Sequence, residues 1–284
     1  MRALRIGGRV FDGSGPFLMG VVNATPDSFS DGGLHLDPAA AVAHAERLVG
    51  EGADVIDLGG ESTRPGAPDV PVDLEIARVV PVIERLVARG CTTPISIDTR
   101  KAPVARAALQ AGAALVNDVS GLADPAMAEL VASTGAPAVV MHMRGTPRDM
   151  GSRAVYGDVV ADVERELAAA LENAVRRGVA EASVLLDPGL GFAKSARHTV
   201  ALLAAVPRLR RLGRPLVVGP SRKSFIGEIT GAGTGERLPG TLAAVTAAVL
   251  GGAEFLRVHD VAPARQAAAL AAAIRDASRS AEEG

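Results

Sequence analysis

Phe17-Leu18-Met19-Gly20-Val21-Val22-Asn23-Ala24-Thr25-Pro26-Asp27-Ser28-Phe29-Ser30-Asp31-Gly32-Gly33 is the stretch on which the reading of this chain turns. Phe17 to Val22 is a short apolar run of the kind that forms a buried strand, and it stops abruptly at Asn23. Polar and turn-forming residues follow, with Phe29 as the one aromatic among them. A strand running straight into a small-polar loop is how a barrel or an open α/β sheet builds one wall of a reaction site. A turn-rich surface connection would look similar in isolation, but the same pattern recurs at most other strand ends of the chain.

Working outward, short β-branched runs alternate with Ala-rich segments of helical period. The expected strands are Phe17–Val22, Asp54–Leu58, Ile95–Ile97, Leu115–Asn117, Ala138–His142, Val184–Asp187, Leu216–Gly219 and Phe255–Val258. Their apolar runs are continuous rather than alternating, which implies a parallel sheet buried on both faces. Eight such units in 284 residues favour a single-domain α/β fold, a closed (β/α)8 TIM barrel spanning residues 1–284. A doubly wound open sheet is the alternative, and no Gly-x-Gly-x-x-Gly follows the first strand to support it. Helix punctuation agrees: Asp37-Pro38 reads as cap and first helical residue, and Gly52, Gly112, Gly135 and Gly252 stand where helices end before strands. Ala41-Val42-Ala45-Leu48-Val49 and Leu74-Ala77-Val80-Val82-Leu86 read as core-facing helical stripes. Within residues 1–15, Leu4 to Phe11 reads as a hairpin with a two-residue turn, placed to cap the bottom of the barrel. Four long connections, 23–37, 59–73, 143–157 and 220–239, follow strands and precede helices, so all fall on one face.

Composition narrows the function classes. Hydrophobic residues make up 48% of the chain but aromatics only 2%, so Ala, Val, Leu and Gly must fill the core. With a formal net charge of −2 and so few aromatics, the chain is not built for nucleic acid. Cys91 is the only cysteine, which excludes an internal disulfide, leaves packing as its role, and fits a cytoplasmic protein. No signal peptide is legible in the first residues, and the longest uncharged apolar stretch, 238–253, is too short to span a membrane.

The strand ends carry the chemistry. In order they present Asn23, Asp57 with Glu61, Asp98, Asn117, His142, Asp187, Lys223 just past Gly219, and His259 with Asp260. One strand-end Asp is often only a helix cap, but so many polar residues at one mouth make a constellation. Asp98, Asn117 and Asp187 supply acceptors, and Lys223 a donor, for a flat heterocycle with an N–H edge and a neighbouring carbonyl. Arg64, Ser221-Arg222-Lys223-Ser224 and Arg257-Val258-His259 form a donor-rich zone suited to a diphosphate. Asn23, with Thr25 close by, suits a Mg2+ on that anion. No zinc spacing, nucleophile elbow or phosphate loop is present, and Gly231-Ala232-Gly233-Thr234-Gly235 reads as a flexible lid. A Schiff-base role for Lys223 is the competing chemistry. His142 either satisfies backbone groups or touches ligand.

These residues coincide with long motifs of a known family. Asn23-Ala24-Thr25-Pro26-Asp27-Ser28-Phe29-Ser30-Asp31-Gly32-Gly33, Asp57-Leu58-Gly59-Gly60-Glu61-Ser62-Thr63-Arg64-Pro65-Gly66, Ser96-Ile97-Asp98-Thr99, Asn117-Asp118-Val119-Ser120-Gly121, Asp187-Pro188-Gly189-Leu190-Gly191-Phe192, Ser221-Arg222-Lys223-Ser224 and Arg257-Val258-His259-Asp260 resemble the dihydropteroate synthase family. The resemblance implies a transferase of folate biosynthesis and sulfonamide target, which joins 4-aminobenzoate to 6-hydroxymethyl-7,8-dihydropterin diphosphate. It implies a pterin pocket of Asp98, Asn117, Met141, Asp187, Phe192 and Lys223. A 4-aminobenzoate site of Phe29, Thr63, Arg64, Pro65 and Ser224, and a diphosphate site of Thr25, Arg257 and His259, are likewise implied. Asn23 is the implied Mg2+ ligand, Asp31, Lys223, Arg257 and His259 the catalytic set, and a homodimer the assembly. Two rivals share part of this pattern. A methyltetrahydrofolate-dependent methyltransferase would use Asp98, Asn117 and Asp187 but not the Arg257/His259 grip. A non-catalytic pterin-binding paralogue would favour loss of loop residues, yet Asp31, Thr63 and Arg64 are present.

Overall fold

The computed structural model describes residues 3–13, 15–25, 38–64 and 66–282. Strands β3 (Phe17–Asn23), β4 (Val55–Gly59), β5 (Ile95–Asp98), β6 (Leu115–Asp118), β7 (Ala138–Met141), β8 (Val184–Asp187), β9 (Val217–Val218) and β10 (Phe255–Val258) form one parallel sheet. Its order is β8-β7-β6-β5-β4-β3-β10-β9. The two end strands meet where the Leu186 N–H donates to the Pro215 carbonyl at 2.9 Å and Leu186 bridges Leu216. That contact closes the sheet into a (β/α)8 barrel. The helices after the strands are Pro38–Gly50, Val72–Ala88, Ala102–Ala111, Pro125–Thr134, Val159–Arg176, Ala196–Ala204, Leu238–Leu250 and Val261–Glu282, with short extra ones at Val206–Leu209 and Ser224–Thr230.

Local chemistry explains the boundaries. Asp124 and Asp158 accept backbone N–H groups of Ala126 and Val160, each at 2.9 Å, and so cap the helices that follow. Gly112 ends its helix at φ 118°, a conformation that costs a residue with a Cβ. The Asp37 cap reading falls outside the described residues.

Alternation of side chains across each strand sorts the core into two shells. Leu18, Val22, Ile56, Leu58, Ile97, Val116, Val140, Leu186, Val218, Leu256 and Val258 face the helices. Met19, Val55, Leu115, Val139, Leu185, Val217 and Phe255 face the barrel axis at its lower end. The hairpin of β1 (Leu4–Ile6) and β2 (Arg9–Phe11) caps that end, as the sequence suggests, by inserting Leu4, Ile6 and Phe11 into the inner cluster. The Phe11 ring meets Phe17 edge-on at 4.8 Å and Phe255 at 5.3 Å. Each such fully buried side chain contributes on the order of 1.5–3 kcal/mol. Asp54 fastens the plug, pairing with Arg9 of the hairpin and Arg265 of the last helix while accepting the Leu18 N–H at 2.8 Å.

Two expectations need correction. On helix Val72–Ala88 the buried stripe is Glu75, Val79, Val82, Ile83 and Leu86, and Leu74 is exposed, because Glu75 turns inward to polar partners described below. The long 220–239 connection is not structureless. It contains the helix Ser224–Thr230 and a turn at Thr234–Glu236, and Arg237 within it donates to the Arg222 carbonyl at 3.2 Å.

Candidate active site

The same alternation builds the site. Two residues beyond the apolar inner ring, the inward direction falls on Val21, Asp57, Asn117, Met141, Asp187, Gly219 and Arg257, with Val21 opposite Asp57 and Met141 opposite Asp187 in the register. Asp98 sits at the end of β5, between Gly59 and Asn117 in register. An apolar floor therefore carries a polar layer at the carboxyl ends of the strands.

That layer is bound together by Arg257. Its Nε donates to Asp57 Oδ2 at 2.6 Å and its Nη2 to Asp98 Oδ2 at 2.6 Å. Asn117 Nδ2 donates to Asp57 Oδ2 at 3.1 Å, which turns the amide oxygen away from that carboxylate. Asp57 is fully buried. Among the described residues Asp57 Oδ1, Asp98 Oδ1 and Ser96 Oγ are buried without a hydrogen-bond partner, so this layer holds unused acceptor capacity. Burial pushes Asp98 up to about 7, against the pull of Arg257. Burial also raises Asp187, with Lys223 opposing it. Arg257 is half-buried, and Asp57 and Asp98 hold it firmly protonated against the cost of that burial.

Lys223 reaches the pocket from the loop after β9. Its Nζ donates to the Leu190 carbonyl and stands 4.5 Å over the Phe192 ring. Burial lowers it to about 8, with Asp187 opposing. The Asp187–Phe192 turn is shaped for this: Asp187 Oδ1 accepts the Gly189 N–H at 2.7 Å, and Gly189 has φ 66°. Met141 lines the same layer, paired in register with Asp187.

His259 stands beyond Arg257 on the same strand end. Ser221 Oγ accepts the His259 backbone N–H at 3.2 Å and lies 2.9 Å from its Nδ1. A hydroxyl that accepts from the backbone can donate to Nδ1, which places the ring proton on Nε2. Burial, then Arg257, Arg222 and Arg64, push His259 down to about 3, so it is a neutral N–H donor.

The structure thus brings Asp98, Asn117, Met141, Asp187, Phe192, Lys223, Arg257 and His259 to one mouth. Asn23 ends β3 next to Gly59, with Thr25 buried just beyond. Thr63 is half-buried and Arg64 exposed on the second loop, and Ser224 is exposed at the start of its helix. Phe29, Asp31 and Pro65 lie outside the described residues.

Other groups emerge only from the fold. Asp57 holds Arg257 across 200 residues of chain, and no spacing could reveal that pair. Lys194 donates to His142 Nδ1 at 2.9 Å and to the Phe192 carbonyl at 2.9 Å, and His142 Nε2 lies 2.8 Å from Glu166. With both ring nitrogens engaged, His142 serves the architecture of the pocket wall. Burial lowers it to about 4 and lowers Lys194 to about 7.

Comparison with known proteins agrees with this geometry. A family model described as pterin binding enzyme matches residues 19–259. A dihydropteroate synthase of Mycobacterium leprae is 50% identical over 252 residues, 86% of this chain and 88% of that protein. The Yersinia pestis dihydropteroate synthase in a sulfonamide drug complex superposes with a TM-score of 0.91 at 42% identity, covering 96% of this chain and 99% of that one. The Xanthomonas albilineans dihydropteroate synthase in complex with 7,8-dihydropteroate gives 0.87 at 45% identity, covering 96% and 98%. The chain belongs to the pterin binding enzyme family.

Proposed function

We propose that this chain condenses 6-hydroxymethyl-7,8-dihydropterin diphosphate with 4-aminobenzoate to give 7,8-dihydropteroate and pyrophosphate. The observation that carries the reading is the single polar layer in which Asp98, Asn117, Asp187, Lys223 and Arg257 meet above an apolar floor. The similarity to an enzyme solved with 7,8-dihydropteroate supports it.

In this reading Asp98, Asn117 and Asp187 take the N–H edge of the pterin, Lys223 takes its carbonyl and ring nitrogen, and Met141 and Phe192 pack on the ring. Asp98 and Asp187 are deeply buried carboxyl groups, and their negative charge is worth most when positive charge develops beside them. That favours a dissociative path, in which the diphosphate leaves and a resonance-stabilised pterin methylene cation is attacked by the arylamine. Asp57 and Asp98 use two of the five donors of Arg257, and the rest, with the Nε2–H of His259 and Thr25, serve the departing anion. Thr63, Arg64 and Ser224 form the 4-aminobenzoate site with Phe29 and Pro65, and Asp31 assists the amine proton.

The residues at the end of β3 fit a Mg2+ ion. Among the described residues no group of three or more His, Cys, Asp or Glu could hold a metal, but Asn23 and Thr25 offer neutral hard oxygens. Mg2+ takes few protein ligands and keeps waters and phosphate oxygens. When bound it neutralises charge on the leaving diphosphate. The family resemblance supports a homodimer acting in the cytoplasm on these small molecules, without nucleic acid. No helix among the described residues is long and apolar enough to cross a membrane.

A coupled assay for pyrophosphate tests the reading. Release should require both the pterin diphosphate and 4-aminobenzoate, with 7,8-dihydropteroate formed in equal amount. No product with both substrates present would reject it.

A further inference from the structure

The geometry points to Lys101 as the positioning residue of the second loop, stapling the two ends of the segment that carries Thr63 and Arg64. Lys101 stands just before the helix Ala102–Ala111, and its Nζ donates to Glu61 Oε1 at 2.9 Å, to Glu75 Oε2 at 2.7 Å and to the Val70 carbonyl at 2.6 Å. Glu61 opens the loop and Val70 closes it, and Glu61 Oε1 also accepts the Val70 N–H at 2.7 Å. One ammonium group and one carboxylate therefore tie both stems of the loop at a single point.

The staple rests on fixed ground. The Glu75 side chain is fully buried, and its Oε1 accepts the Thr99 hydroxyl at 2.7 Å, directly after Asp98. Arg100 reinforces the same point, donating from Nε to Glu61 Oε2 at 3.3 Å and pairing through Nη2 with Asp69. Arg78 donates to the Gly60 carbonyl at 2.8 Å. These bonds tie the two ends of one loop to the Thr99–Lys101 segment after β5 and to helix Val72–Ala88. The tip beyond the staple has few anchors: among the described residues, the Gly66 N–H donates to the Pro147 carbonyl at 3.1 Å. A charge-assisted network of this burial holds one geometry far better than a loop backbone does. The staple thus sets where Thr63 and Arg64 stand relative to the pocket, and none of its hydrogen bonds is made to a side chain of the pterin layer. The inference rests on the proposed 4-aminobenzoate role of this loop.

The test is Lys101→Met in the full chain, with Arg100→Met as a milder variant that spares the buried Lys101–Glu75 pair. Lys101→Met should raise the KM for 4-aminobenzoate by about tenfold or more while leaving the Kd for pterin diphosphate within about twofold. Amide exchange of residues 62–69 should speed up by about tenfold in the same protein. Arg100→Met should shift both readouts the same way by about threefold, and Lys101→Arg should partly restore them. Unchanged exchange and an unchanged 4-aminobenzoate KM, or equal losses for both substrates, would overturn the staple. Thr63→Ala separates this from the underlying reading. If exchange accelerates in Lys101→Met but Thr63→Ala leaves the 4-aminobenzoate KM unchanged, the staple stands and the substrate assignment of the loop fails. If Thr63→Ala raises that KM and Lys101→Met changes nothing, the staple fails.

Discussion

Arg257 shows how much the individual residues of this site depend on one another. Its guanidinium is the shared partner of two buried carboxylates, so removing it strands both charges. Breaking a buried pair in this way costs about 3–5 kcal/mol. Arg257→Ala should therefore lower stability by about 3 kcal/mol at pH 8 and by less at pH 6, where Asp98 takes up a proton; equal melting temperatures for variant and parent at pH 8 would contradict the pairing. His142 gives a second handle. It is held neutral, with its pKa lowered to about 4, so it binds fewer protons folded than unfolded. Its contribution is present above the unfolded value near 6.5 and is lost as pH falls from there to about 4, a span worth up to about 3 kcal/mol. Lys194, lowered to about 7, exerts its effect at higher pH and does not blur this window. Denaturant titrations should show the stability gap between the parent and His142→Asn shrinking across that interval, and parallel pH profiles would contradict it. The strand-end acids were legible in the sequence because buried polar residues interrupt apolar runs. Arg257 was legible as a cation and Asp57 as a strand-end acid, but their pairing across 200 residues of chain was not.

At the scale of elements, the strands were readable to within one or two residues, because a parallel strand buried on both faces must be a continuous β-branched run ended by turn formers. What escaped were elements whose identity is decided by tertiary contacts. Ser224–Thr230 carries no helical period, and its fold depends on Ile226 packing and on Arg237 reaching back to the Arg222 carbonyl. Glu75 hides the true face of helix Val72–Ala88, since a core-facing carboxylate is expected only when its partners are known. The turn Asp187–Phe192 is the element on which the pocket wall depends most. A Cβ at Gly189 would stand 2.0 Å from the His142 carbonyl oxygen, at a φ of 66°. Gly189→Ala should cost about 3–5 kcal/mol, from overpacking and backbone strain together, and should weaken pterin binding by displacing Asp187; a loss under about 1 kcal/mol would refute this.

For the whole molecule, the barrel converts eight chain-distant strand ends into one mouth, and the apolar plug at the other end lets the polar layer be assembled above a packed floor. The topology, with the strand read at Leu216–Gly219 and the closure of the barrel, was readable from the alternation of strands and helices, whereas the particular bond that closes it, from the Leu186 N–H to the Pro215 carbonyl just before β9 (Val217–Val218), was not. The central claim is that acids, amide and cations at this mouth act as one pterin pocket. Calorimetric titration with the pterin diphosphate, on the parent chain and on Asp98→Asn, Asp187→Asn, Lys223→Ala and their pairwise combinations, tests it most directly. Each single variant should lose at least about 100-fold in affinity, and the double variants should lose much less than the product of the single losses. Unchanged affinity in the single variants, or strictly multiplicative losses, would show that these residues do not share a pocket.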